Sequence, residues 1–144
     1  MKKYDLATVY AFDNLVLQTD RRTQKPNLWF SQEEIWLIDH EATFATCENA
    51  RNELTGNFSW SYYYTNHLFY GVLKGLSRQE KIQCFDTFEE YFRTFDPIRA
   101  LGNIDEQLAE YKLPIEGFVK IADYFRSLKQ FPDRFIYAIK GSIQ

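Results

Sequence analysis

The sequence predicts an α+β fold, mostly α-helical, with one small β-hairpin close to its N-terminal end. Apolar residues recur at helical spacing along most of the chain. One stretch departs from that rhythm. Leu28-Trp29-Phe30 and Ile35-Trp36-Leu37-Ile38, rich in aromatic and β-branched residues, flank the polar Ser31-Gln32-Glu33-Glu34, the pattern of a hairpin. The chain has 144 residues, is 45% apolar and 18% aromatic, and no Gly/Ser/Pro-rich linker or repeat divides it. Residues 1–144 are therefore expected to share one core as a single domain.

From Asp5 to Gln18, Leu6, Val9, Tyr10, Val16 and Leu17 form a helical stripe, with Asp13 on the same face. A carboxylate among apolar residues needs a hydrogen-bonded or charged partner. Asp13 either lies at the edge of the stripe or braces the segment that follows, and bracing is the preferred expectation. Thr19 to Pro26 is polar and closes on Lys25-Pro26, whose proline turns the preceding residue away from helix, so it reads as a loop. Beyond the hairpin, Asn49–Glu53 predicts a helical turn and Thr55-Gly56-Asn57 a break. Trp60 and Tyr62-Tyr63-Tyr64 predict core aromatics under a long loop, with a partner-facing patch as the alternative.

The remainder predicts helices. Asn66–Lys74 forms one, ended by Gly75, and Ser77 with Glu80 three residues on is a capping box for the next. Ile82, Phe85, Phe88, Phe92 and Phe95 make a stripe, and Asp96-Pro97 opens a turn. Ile104, Leu108 and Tyr111 mark a further helix. Phe118, Ile121, Ala122, Phe125 and Leu128 mark a longer one after Pro114, and Phe135, Ala138 and Ile139 a last one after Pro132. These stripes are expected to be core.

Composition narrows the function classes. A net charge of −3 and a pI near 5.4 argue against a dedicated nucleic-acid binder, which needs a basic face. Arg21, Arg22 and Lys25 are the one notable positive cluster, either a solvated loop or one that faces phosphate. Cys47 and Cys84 form no CxxC pair and are expected to be reduced structural thiols. His40 and His67 lack zinc-site spacing. Met-Lys-Lys-Tyr-Asp is followed by no long apolar run, and no segment approaches the ~20 apolar residues of a membrane helix, so a cytoplasmic protein without a membrane partner is expected.

Asp20 opens the polar loop, Asn27 closes it directly before the first strand, and Asp39 ends the second. Strands of nearly equal length bring Asn27 and Asp39 together at the open end of the hairpin. A carboxylate that accepts a hydroxyl proton, followed by an amide and a carboxylate whose oxygens hold Mg²⁺, is what phosphoryl transfer asks of a protein. Aspartate and asparagine as ordinary turn formers meet the same spacing.

Lys25-Pro26-Asn27-Leu28 resembles the lysine-proline-x-asparagine-leucine run of many protein kinases. More specifically, Phe12-Asp13, Thr19-Asp20-Arg21, Pro26-Asn27-Leu28 and Trp36-Leu37-Ile38-Asp39-His40 resemble the HipA-like kinase family, and Asn66-His67-Leu68-Phe69-Tyr70 through Leu73 resembles its following helix. The specific part runs from Phe12 to Phe44. The resemblance implies a protein-kinase-like C-terminal lobe, ATP and Mg²⁺ as cofactors, and transfer to a Ser or Thr hydroxyl of a protein substrate. It implies Asp20 as the proton-accepting base, Asn27 and Asp39 as metal ligands, and Lys25 as a group facing the transferring phosphate. Three positions depart from the pattern. Gln18 and Lys25 stand where the branch often has asparagine, and Asp39-His40-Glu41 lacks the glycine of Asp-Phe-Gly.

A kinase also needs a sheet-rich N-terminal lobe with a phosphate-pairing lysine. Only 19 residues precede Asp20, and no GxGxxG occurs. Tyr137-Ala138-Ile139-Lys140 resembles the strand motif Val-Ala-Ile-Lys but falls in a helical stripe. Three expectations stand. The chain is a lobe completed by a partner chain that grips the nucleotide. Alternatively it is a non-catalytic interaction or regulatory module on the same fold, with homodimerisation open to it. In the third, Asp20, Asn27 and Asp39 are turn formers of an unrelated helical domain.

Overall fold

The computed structural model describes residues 3–31, 34–57 and 65–144. Helix α1 (Lys3–Leu15) buries Leu6, Val9, Tyr10 and Leu15. It stops short of Gln18 because Leu17 takes a left-handed backbone, φ 56°, through which no right-handed helix continues. Val16 and Leu17 nevertheless stay buried on the turn.

Strands β1 (Leu28–Phe30) and β2 (Ile35–Leu37) pair antiparallel as Leu28↔Leu37, Trp29↔Trp36 and Phe30↔Ile35. The Ile38 N–H donates to the Asn27 carbonyl at 3.0 Å, which carries the pairing one step to the end of the loop. Alternation along the strands turns Leu28 and Leu37 to the core and Trp29 and Trp36 outward, 66% and 53% exposed.

The expected turn after the hairpin is a full helix, α2 (Cys47–Thr55), ended at Gly56. It lies along α8 (Glu116–Gln130), with Arg51–Asp123 and Lys120–Glu48 pairs at the rim. Trp60 and Tyr62–Tyr64 lie outside the described residues. Helix α3 (Tyr70–Lys74) is shorter than expected. The reason is competition for backbone groups: Leu68 N–H donates to the Arg21 carbonyl at 2.9 Å and His67 forms a β-bridge with Arg22, so the backbone here is drawn to the loop and helix starts only at Tyr70.

Helix α4 (Arg78–Gln83) has the predicted capping box, with Ser77 Oγ accepting from Glu80 N–H and Glu80 Oε2 from Ser77 N–H. The stripe expected from Ile82 to Phe95 is divided at Cys84-Phe85, where α5 (Asp86–Thr94) begins, and Ile82 is exposed. Asp96 caps α6 (Pro97–Leu101), accepting from the N–H groups of Ile98 and Arg99. Helix α7 (Ile104–Glu110) forms where predicted but buries no residue, so its stripe faces solvent.

The core gathers α1, α5, α8 and α9 (Pro132–Ser142). Phe135 lies against Phe88 and Phe92, with ring centroids 6.3 and 5.1 Å away. Two hydroxyls tie the last helices to the first: Tyr124 donates to the Leu15 carbonyl at 2.9 Å, and Tyr10 bonds Ser142 Oγ at 3.0 Å. The content is thus α+β, mostly helical with one small antiparallel sheet, and no described helix is long and apolar enough to cross a membrane.

Cys47 and Cys84 are free and buried. Burial pushes both thiols up, Cys84 to about 11. At pH 8 Cys84 is then thiolate in roughly one molecule in a thousand, so iodoacetamide should leave it unmodified in the native chain and label it only after unfolding in urea. Labelling at equal rates in both states, read by mass spectrometry, would contradict the burial.

Candidate active site

The loop leaving α1 is organised by a buried arginine. Arg21 is 1% exposed, and its side chain is spread over three chain segments. Nε bonds Asp13 Oδ2 at 2.5 Å and Nη2 bonds Asp13 Oδ1 at 3.2 Å. Nη1 donates to the carbonyls of Pro26 and Asn27. Nη2 also lies 3.4 Å from His40 Nε2, which must be the acceptor because a guanidinium only donates. His67 completes the cluster. Its Nδ1 accepts from the Phe69 N–H at 3.1 Å, so the proton sits on Nε2, which donates to Asp13 Oδ2 at 2.8 Å. Asp13 is thus fully buried and braces the loop, as expected.

Gln18 adds a second tie. It is fully buried, accepts from the Asp20 N–H at 3.1 Å and donates to the Asp39 carbonyl at 2.8 Å. Gln18 therefore links the start of the loop to the end of the hairpin.

On this scaffold the four predicted residues come together. Lys25 Nζ lies 2.5 Å from Asp20 Oδ2 and 3.0 Å from Asp39 Oδ2. Arg22 Nη2 bonds the other oxygen of Asp20 at 2.7 Å. Asn27 turns its Nδ2 towards the Asp20 carbonyl, 3.5 Å away, and its Oδ1 has no protein donor among the described residues. Asn27 and Asp39 both take left-handed backbones, φ 46° and 58°. Asparagine and aspartate tolerate this region better than other side-chain-bearing residues, yet it is sparsely populated and recurs at functional sites.

Lys25, then Arg22, hold the Asp20 carboxyl below the usual carboxylate range. Asp20, then Asp39, push Lys25 up to about 12. A carboxylate held down in this way is a weaker proton acceptor. Magnesium takes hard oxygen ligands, and two carboxylates that already converge on one cation fit that preference.

Beside the site runs an apolar groove of about 390 Å³, whose walls include Phe12, Val16, Leu37, Tyr91 and Phe95. On the other side of the loop a polar cleft of about 690 Å³ is bounded by Arg22, Gln24, Thr65, Asn66 and Tyr70.

The positive cluster divides: Arg21 is internal, whereas Arg22 and Lys25 are half-exposed at the site. Arg21, Gln18 and His67 were not expected to organise it. The signal for His67 lay in its neighbourhood, Asn66 to Leu73, but helical spacing pointed to a plain helix there.

Family models, curated proteins and solved structures offer no match to this chain.

Proposed function

We propose that this chain is the catalytic-loop lobe of a HipA-like kinase site, transferring a phosphoryl group from ATP to a Ser or Thr hydroxyl of a protein substrate. The observation that carries it is the convergence of Asp20 and Asp39 on one cation at the open end of the hairpin, with Asn27 between them in sequence. Asp20 accepts the hydroxyl proton as the acceptor oxygen bonds the γ-phosphorus of ATP, whose bond to the bridging oxygen breaks and releases ADP. Asn27 and Asp39 are the residues that would hold Mg²⁺, and Lys25 faces the transferring phosphate. Arg21 and Gln18 keep these groups in register through the Asn27 and Asp39 carbonyls. Magnesium, when bound, offsets charge on the phosphates.

The nucleotide grip belongs to a second lobe, on a partner chain or a further segment. The exposed hairpin favours such a lobe, because Trp29 and Trp36 on its outward face, and Phe30 near its turn, leave large apolar area in water. The same surface supports the second reading, a non-catalytic module that docks a partner or a second copy.

The test is Mg²⁺-dependent transfer from labelled ATP in the presence of a purified nucleotide-binding partner. Asp20→Asn and Asp39→Asn should each lower the rate by about a hundredfold or more. Transfer unchanged in both variants would overturn the kinase reading. Stable docking lost in Trp29→Ser, with no transfer under any condition, would favour the interaction module.

A further inference from the structure

We propose that Lys25 is an internal counter-ion that closes this site at rest, and that a divalent cation enters only when the Lys25 ammonium leaves the gap between Asp20 and Asp39. The inference rests on the reading of the site as one that holds a divalent cation.

The geometry carries it. The ammonium touches Asp20 Oδ2 at 2.5 Å and Asp39 Oδ2 at 3.0 Å, so both oxygens point at one position and Lys25 occupies it. Two cations cannot share that position: a unit and a double charge a few ångström apart repel strongly in any partly screened site. A cation that takes that position must therefore displace the ammonium.

Each part of the exchange is visible. Lys25 is half-exposed on a flexible four-carbon stem, so its head can swing into solvent. Arg22 is held on Asp20 Oδ1, which leaves Oδ2 as the oxygen that changes partner. The ligand positions do not depend on Lys25, because Arg21 holds the Asn27 carbonyl and Gln18 holds the Asp39 carbonyl. Removing the lysine leaves the backbone that carries both carboxylates anchored, Asp20 through its N–H and Asp39 through its carbonyl.

At rest Asp20 carries two cationic partners. Once Lys25 moves away, its ammonium is free for a phosphate oxygen.

Mn²⁺ binding to the full chain without nucleotide, read by water-proton relaxation, tests this. Lys25→Met should bind Mn²⁺ about tenfold more tightly than the wild type, the size expected for removing one nearby unit charge at a partly exposed site. Lys25→Arg, which keeps the charge, should stay as weak as the wild type. Adding Asp39→Asn to Lys25→Met should abolish the gain. Equal affinity in the wild type and Lys25→Met, or weaker binding in the variant, would overturn the counter-ion role while leaving the cation site standing. No Mn²⁺ binding in any variant at millimolar concentration would overturn both. Lys25 lies on the surface, so circular dichroism should show every variant folded.

Discussion

Asp13→Ala should lower the free energy of unfolding by about 3–5 kcal/mol, the range for breaking a buried ion pair from one side. The carboxylate holds Arg21 by two bonds and His67 by a third, all away from water. Without it the guanidinium is a buried charge with only carbonyls and an imidazole as neighbours. Few proteins have stability to spare on that scale. A urea titration followed by tryptophan fluorescence gives the value, because Trp29 and Trp36 sit on the hairpin that the network supports. Asp13→Ala with Arg21→Met should lose less than the two single changes together, since the stranded charge is then gone. A loss under about 1 kcal/mol in Asp13→Ala would mean that the pair is not buried as described.

Phe135→Ala should cost a comparable amount, about 3–5 kcal/mol, by a different mechanism. Its ring is fully buried between α5 and α9, against Phe88 and Phe92. Truncation removes buried apolar area and leaves a hole that the flanking rings only partly fill. The effect should be confined to stability. Amide NMR signals of residues 18–27 should stay in place in the folded fraction, whereas Asp13→Ala should move them. Shifts throughout that loop in Phe135→Ala would show that the core and the site are coupled more tightly than the packing indicates.

Much of the fold could be read in the sequence because two signals there are local. The period-3.6 stripes located α1, α8, α9 and most of α5, and the paired aromatic runs located the hairpin to within one residue. Misjudged elements were those decided by distant partners. Asn66 to Phe69 has helical composition, but its backbone is committed to Arg21 and Arg22. Ile82 has the right spacing and no partner surface, so it stays in water. Within the candidate site, the nearness of Asn27 and Asp39 could be read from the hairpin, whose nearly equal strands bring their far ends together, whereas Asp20 and Lys25 were singled out by resemblance. The burial of Arg21 was not legible. Next to Arg22 and Lys25 it looks like one more solvated charge, and only the Asp13 carboxylate on a neighbouring helix explains why it is inside.

The bond between His67 and Asp13 joins residues 54 positions apart, and the pairing of Leu68 with Arg21 closes nearly the same span. This sets where the chain can be divided. A break between α1 and α3 would divide the loop from the segment that holds it, and neither fragment alone would carry both partners of these bonds. Exposed turns beyond α5, such as the one around Gly102, lie outside that span and are the natural joints for tags, fusions or permuted ends.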